Sequence, residues 1–366
     1  MTALPTRKLE AFRYTDLRAL AATSFADAPD AAAVPDLPEL GLPRLVMLNG
    51  KFRADLSSPV RYLQPFAGVV EESALPLAQI NAEHAQDGLT LAIPAGVDAG
   101  ALALVSHAQA SQPFACHPRH RITLGQGARL TIIEIAKGEG IYWHNPVFDI
   151  AVAEGAVLAH YRLQQESLEA FHLATLRAQV AEGGAYESFT AVMGARLSRT
   201  EIHAALQGTK ASVHLNAAQL LRGSQHGDFT SVVAHRAPEC ASRQTVKSVL
   251  SDSARGVFQG RIEVARIAQK TDGYQMNQAL LLSPQAEMDI KPELEIFADD
   301  VKCSHGATIG ALDPEQVFYL RSRGIPEPQA RALLIRAFLT EALEPVTDET
   351  ARGIFDAAFD AWWGQA

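Results

Sequence analysis

The sequence predicts a mainly β fold, a coiled, solenoid-like stack of short strands with helical segments at its two ends. Three observations lead there. From about residue 100 to 310, apolar and polar residues alternate in short runs punctuated by glycine, the period-two pattern of strands. Within residues 257–264, Phe258, Gly260, Ile262 and Val264 share one face, and Val257, Gln259, Arg261 and Glu263 take the other. Related runs then recur at near-constant spacing. GARLTIIEI begins at 127, GAVLAHYRL at 155 and GAYESFTAV at 184, intervals of 28 and 29, and GTKASVHLN at 208 is a looser fourth copy. Evenly repeated supersecondary units point to a solenoid; a β-sandwich with similar turns is the competing arrangement. A solenoid also needs its end coils covered, and amphipathic segments at both ends of the chain are candidates for that.

Taken in order, residues 5–22 place Leu9, Phe12, Leu17 and Leu20 at roughly helical spacing and read as a short helical start. The following stretch, 24–44, carries Pro29, Pro35, Pro38 and Pro43 and reads as a linker or irregular covering segment. RLVMLNGKF at 44–52 fits a strand and turn, and residues 74–86 are more helix-like. These divisions give an N-terminal helical and irregular region over 1–95, a β core over 96–311 and a C-terminal helical domain over 312–366. In the tail, Asp313 stands as an N-cap with Pro314 at the first helical position. Gln316 completes a capping box and Gly324 is the stop. Residues 326–343 align Ala330, Leu333, Leu334, Ala337 and Phe338, and residues 347–363 align Ile354, Phe355, Ala358, Phe359 and Trp362. Such stripes bury against the chain's own core or hold a partner.

The composition, 48% hydrophobic and 20% charged, supports a sizeable core. A net charge of -9 argues against nucleic acid as the main partner. Cys116, Cys240 and Cys303 make no disulfide framework. The N-terminal stretch MTALPTRKLEAFRYTDLRAL lacks the apolar core of a signal peptide. No run approaches the ~20 apolar residues of a membrane helix. The expectation is a cytoplasmic protein with reduced thiols and no membrane partner.

The candidate chemistry sits in FADDVKCSHGATIG, residues 297–310. If VKCSH is extended, Val301, Cys303 and His305 project from one face. Thiolate and imidazole suit zinc, ferrous iron or copper, but two ligands do not close a tetrahedral site. The others must come from far away in sequence or from another chain. The structural alternative packs Cys303 in a strand and bonds His305 to a backbone carbonyl. A Cys–His nucleophile oriented by Asp299 or Asp300 is a rival, with nothing to mark an oxyanion hole. Cys116, His117 and His120 in ACHPRHRI form a weak metal motif, and Cys240 has no histidine close by. GxxxxGK[ST], a strand-borne GxGxxG, HExxH, GxSxG and CxxC are all missing, which excludes a P-loop ATPase and most catalytic templates.

Residues 288–343, from MDIKPELEIFADDVKCSHGATIG to ARALLIRAFLTEAL, resemble the C-terminal signature of the SufB/SufD family of iron–sulfur cluster assembly proteins. GVFQGRIEVARIAQKTDGYQMNQALLLS at 256–283 and EAFRYTDL at 10–17 fit the same family, and the short chain is most like its SufD branch. The resemblance implies a right-handed parallel β-helix flanked by helical regions. It implies pairing with a SufB-like paralogue and binding of the SufC ATPase through the C-terminal helices. It also implies a scaffold rather than an enzyme, with a nascent iron–sulfur cluster shared with the paralogue. His305, with Cys303 close by, would be this chain's half of that site. A flavin sometimes associated with the assembly has no fingerprint here. A homodimer in isolation, a self-contained mononuclear metal protein using Cys303, His305 and further histidines, and a β-helix enzyme acting on polysaccharide remain as other readings.

Overall fold

The computed structural model describes residues 2–30, 35–64, 66, 68 and 72–363. Between 90 and 310 the chain winds into a parallel β-solenoid of about 8 turns. Each coil sends one strand to each of two facing sheets. The first sheet stacks Thr90–Ile93, Arg119–Leu124, Val147–Val152, Phe171–Val180, Leu197–Leu206, His226–His235, Arg255–Val264 and Glu287–Ile296. The second stacks Asp98–Gln109, Arg129–Glu139, Val157–Gln165, Ala185–Val192, Ser212–Leu221, Ala241–Leu250, Asp272–Leu281 and Lys302–Gly310. Arg44–Leu48 extends this second sheet by pairing parallel to residues 103–107.

The repeat is set by one corner of each coil. Gly127, Gly155 and Gly183 turn the chain there with left-handed φ of 65°, 62° and 59°. Later coils make the same turn with Lys210, Glu239 and Lys270, at φ 61°, 59° and 59°. A side chain in that conformation costs about 1–2 kcal/mol, which the paired strands on either side absorb. The looser fourth copy in the sequence is this change of residue at an unchanged turn.

Side chains that alternate inward fill the space between the sheets. Leu130, Ile132, Phe148, Leu158, Leu176, Ile202, Val213, Phe229, Val246 and Phe258 belong to one continuous buried cluster. Phe258, Gly260, Ile262 and Val264 face inward together, as the alternation predicts. The buried charge of Glu134 is paired: it accepts from Arg162 Nε at 2.7 Å and lies 3.0 Å from His160 Nε2.

The outer faces of the two sheets are covered differently. The N-terminal segment forms a strap with only single turns of helix at Glu10–Phe12 and α1 (Arg18–Ala21), not the continuous helix its spacing suggests. Its contacts decide its shape. The Phe12 ring sits under the Arg199 guanidinium at 4.3 Å, and Thr15 bonds Asp228. Lys291 Nζ donates to Glu10 at 2.6 Å, and Gln259 Nε2 to the Ala11 carbonyl at 3.1 Å. Beneath the strap Arg199 is fully buried and paired with Asp228 and Glu201. Helix α2 (Pro76–His84) anchors beside it, where the Asn81 side chain donates to the carbonyls of Pro118 and Asn145.

The second sheet is covered by the tail: α3 (Pro314–Ser322), α4 (Glu327–Leu343) and α5 (Glu349–Trp363). Asp313 caps α3 by accepting from the Glu315 N–H. Ala351, Phe355, Ala358, Phe359 and Trp362 of α5 are buried, close to the expected stripe. In α4 the buried residues are Ala330, Ile335, Leu339, Ala342 and Leu343, while Leu333 and Ala337, expected inside, are exposed. This helix is apolar on several faces, and the sheet it meets selects the row. Phe355 packs edge-on to Phe189 with ring centroids 4.8 Å apart. The buried Lys247 ammonium pairs with Glu341 of α4 and lies 4.3 Å from the centroid of Phe338.

The tail therefore lies along the side of the solenoid, not over its last coil as an end cover would. Among the described residues it is the first coil that is closed, by Phe52, Val60, Tyr62 and Leu63 packed against the interior cluster.

Two expected outcomes follow from this packing. Phe355→Ala lowers unfolding stability by about 3–5 kcal/mol in denaturant melts, as loss of a fully buried ring does; a loss under about 1 kcal/mol would show that the tail is not anchored there. The second concerns acid. Burial pushes the His235 imidazole down to about 4 from 6.5. Between those values the unfolded chain takes a proton that the folded chain does not, so stability is lost as pH falls through 6.5. The loss is about 1.4 kcal/mol per pH unit from this one group. His235→Gln, which keeps a partner for Ser242, flattens the pH 6.5 to 4 limb by about that slope; an unchanged limb in pH-dependent melts contradicts the assignment.

Candidate functional site

Cys303 and His305 lie on the last strand, Lys302–Gly310. It pairs in parallel with Asp272–Leu281, placing Cys303 beside Gly273, His305 beside Gln275, Ala307 beside Asn277 and Ile309 beside Ala279. Those four partners are all buried. The same register makes Cys303, His305, Ala307 and Ile309 the inward-facing residues of the final coil. They are nonetheless open: Cys303 is half-buried, and His305, Ala307 and Ile309 are exposed. On the other sheet the last strand is Glu287–Ile296, whose Met288, Ile290, Pro292 and Leu294 stack in register on Gly256, Phe258, Gly260 and Ile262. Together the two strands form an interior layer with no next coil above it.

Two free strand edges border this layer. A long exposed edge is a template for another strand, and Pro292 fits an edge because proline gives a sheet no N–H. Phe297 is 67% exposed and Ile309 50%. Covering either side chain contributes about 1.5–3 kcal/mol.

Cys303 leans into a small apolar cluster with Ile262, Val264, Ala268 and Ala298, and its burial raises the thiol above its ordinary value. At rest it is therefore the protonated thiol, and only a metal or a cationic neighbour makes it a strong ligand. His305 has no hydrogen bond or ion pair among the described residues, so the structural alternative of a carbonyl-bonded histidine does not hold. Asp299 and Asp300 are exposed in the preceding turn, where the Asp300 N–H donates to Gln269 Oε1 at 2.9 Å and its carbonyl accepts from the Lys270 N–H at 2.6 Å. They do not orient His305, and a nucleophilic pair is not assembled. Among the described residues no third histidine, cysteine or carboxylate joins Cys303 and His305 in a ligand group. What this chain offers is an imidazole and a thiol on an open edge.

A Cβ on Gly306 would meet only the movable end of the Met276 side chain, at 2.7 Å from its methyl. Gly310 has open space around it.

The other sequence candidates separate. Cys116 is buried beside Phe114 and Tyr142. His117 stacks on His84 at 5.2 Å and meets Trp143 edge-on at 4.9 Å, while His120 packs on Phe148 at 4.6 Å inside the solenoid. Cys240 is buried in the main interior cluster. All three cysteines are free. A group that the sequence reading does not anticipate is His144, Glu166 and His172, buried together. Its members come from separate segments and match no spacing motif.

Comparison with known proteins agrees with this architecture. Residues 106–338 match the family model for the SUF system FeS cluster assembly SufBD core domain. The chain is 34% identical over 367 residues to the iron–sulfur cluster assembly protein SufD of Escherichia coli, covering 95% of this chain and 86% of that protein. It is 31% identical over 391 residues to an iron–sulfur cluster assembly SufBD family protein of Synechocystis, covering 96% and 85%. The chain belongs to the SufBD family of the SUF iron–sulfur cluster assembly system and is SufD-like.

Proposed function

We propose that this chain is a scaffold subunit that supplies half of a cluster-building site and borrows the other half from a SufB-like paralogue. The observation that carries this reading is the last coil: inward-facing Cys303 and His305, stacked in register on buried residues, yet left open with no third ligand among the described residues. A related solenoid docked on that edge would continue the sheets, bury Ile309 and Phe297, and bring ligands of its own to face His305. The iron and sulfide are cargo, held while the cluster is built and then passed on.

The chemistry asked of each residue is modest. The His305 imidazole offers a ring nitrogen with no competing bond among the described residues, and imidazole suits ferrous iron. The Cys303 thiol becomes a ligand once iron draws off its proton, so docking and metal entry activate it together. Three free cysteines suit a reducing, cytoplasmic setting.

ATP hydrolysis belongs to a separate SufC-like subunit. The tail offers it a surface, since Phe318 and Tyr319 of α3 and Leu333 of α4 are 71%, 57% and 49% exposed. Because α4 and α5 grip the solenoid along its side, a pull on the tail is transmitted to the sheet that ends at His305. In this mechanism the ATPase opens the paired edge to admit iron and sulfur.

The test is anaerobic reconstitution of this chain with its cognate paralogue and ATPase, wild type beside His305→Ala. The exposed position predicts an unchanged melting temperature and unchanged complex formation, with iron and acid-labile sulfide reduced at least tenfold. A His305→Ala complex that loads iron and sulfide like wild type overturns the reading. Stoichiometric iron on the isolated chain, held by Cys303 and His305 alone, would instead support a self-contained metal protein.

A further inference from the structure

A second set of ligand-type side chains lies well away from the open edge in sequence. His144, Glu166 and His172 are all buried, and one ligand atom from each falls within 4.8 Å of the others. His144 and His172 stand at the same register of neighbouring parallel strands, Tyr142–His144 and Phe171–Val180. Their rings meet edge to face at 5.1 Å. Glu166, just after the strand Val157–Gln165, completes the set: Oε1 is 2.9 Å from His144 Nδ1, and Oε2 is 2.6 Å from His172 Nδ1.

Two features set this group apart from an ordinary buried hydrogen-bonded cluster. His172 Nδ1 faces Glu166, but its Nε2 has no hydrogen-bond partner among the described residues. A fully buried ring nitrogen left unsatisfied is uncommon, because buried polar groups are nearly always paired. The Glu166 carboxylate, for its part, touches two imidazoles and the Gln164 amide, which donates at 3.0 Å, but no lysine or arginine among the described residues. A buried carboxylate without a counter-charge is costly. Glu134, one coil away, shows the usual solution, with Arg162 at 2.7 Å.

We propose that His144, Glu166 and His172 bind one divalent transition-metal ion of the zinc or ferrous class. Two imidazoles and one carboxylate are a donor set that zinc and non-haem iron(II) use when further positions stay open. A cation here balances Glu166 and offers the ring of His172, whose Nε2 is unpartnered among the described residues, a further partner. The site is also held in place. A Cβ on Gly194 would lie 2.3 Å from the Glu166 backbone nitrogen, and the Ala195 N–H donates to the Glu166 carbonyl at 3.2 Å. Only glycine lets that neighbouring turn approach so closely. A surface cleft between this turn and α5, lined by Glu166, Ser167, Met193 and Trp362, reaches the Glu166 side of the group. Cys116 pairs in register with His144 yet stands outside the ligand group. The donor set thus differs from the thiol and imidazole at the open edge.

The experiment titrates cobalt(II) into chelator-treated chain under anaerobic conditions and reads visible d–d absorption and bound metal. It uses a Cys303→Ser/His305→Ala background, so the edge residues cannot contribute. The expected result is one equivalent bound, with zinc(II) competing and raising the melting temperature. Glu166→Gln or His172→Gln in the same background weakens binding by about 100-fold or more. Absence of stoichiometric cobalt in the folded background chain overturns the proposal without reliance on any variant in the cluster. Binding undiminished in both cluster variants, each checked for native circular dichroism, overturns it as well.

Discussion

A parallel solenoid is complete only where the inward face of its end coil is covered, and in this chain that condition is met at one end. Phe52, Val60, Tyr62 and Leu63 close the first coil, while in the last the inward-facing Met288, Ile290, Cys303, His305 and Ile309 have no further coil stacked on them. Two strand edges and an unfinished interior layer are costly to leave in water. The arrangement makes physical sense if something of similar shape covers it. The family, the ligand chemistry and the lack of a third ligand all take their meaning from that single geometric fact.

The placement of the tail permits it. Had α3 to α5 folded over the last coil, Cys303 and His305 would be core residues. Instead Ile335, Leu339, Phe355, Phe359 and Trp362 cover Ile133, Tyr161, Phe189, Leu220 and Val249 on the side of the second sheet. The strap does the same service for the first sheet, through the buried Arg199 with Asp228 and Glu201 and through Phe12 above it. Both side faces are thereby covered by the chain's own termini, while among the described residues the axial end of the last coil stays open.

The strands were legible in the sequence because inward and outward residues alternate and because glycine marks the corner at 127, 155 and 183. The marker fades where Lys210, Glu239 and Lys270 adopt the same turn; nothing in those residue types signals a left-handed conformation. The α5 stripe was legible because its apolar residues fall on one face. That of α4 was not, because Leu333, Ile335, Ala337 and Leu339 surround the helix and only the sheet chooses among them. The strap misled because its contacts with Arg199, Asp228 and Lys291 are set by distant strands, which local spacing cannot reveal. Alternation placed Cys303 and His305 on one face, but their openness depends on where the tail packs. Pro292, in the middle of a strand, was the available sign of an edge. The grouping of His144, Glu166 and His172 arises only when coils stack, so no linear motif announces it.

The measurement that tests the account most directly is hydrogen–deuterium exchange of this chain alone and in complex with its SufB-like paralogue. The account predicts that the amides of Lys302–Gly310 and Glu287–Ile296 exchange readily in the free chain, and that those at the docked edge become strongly protected in the complex. A stable complex in which both segments exchange as they do in the free chain would place the partner elsewhere and contradict the shared site at His305.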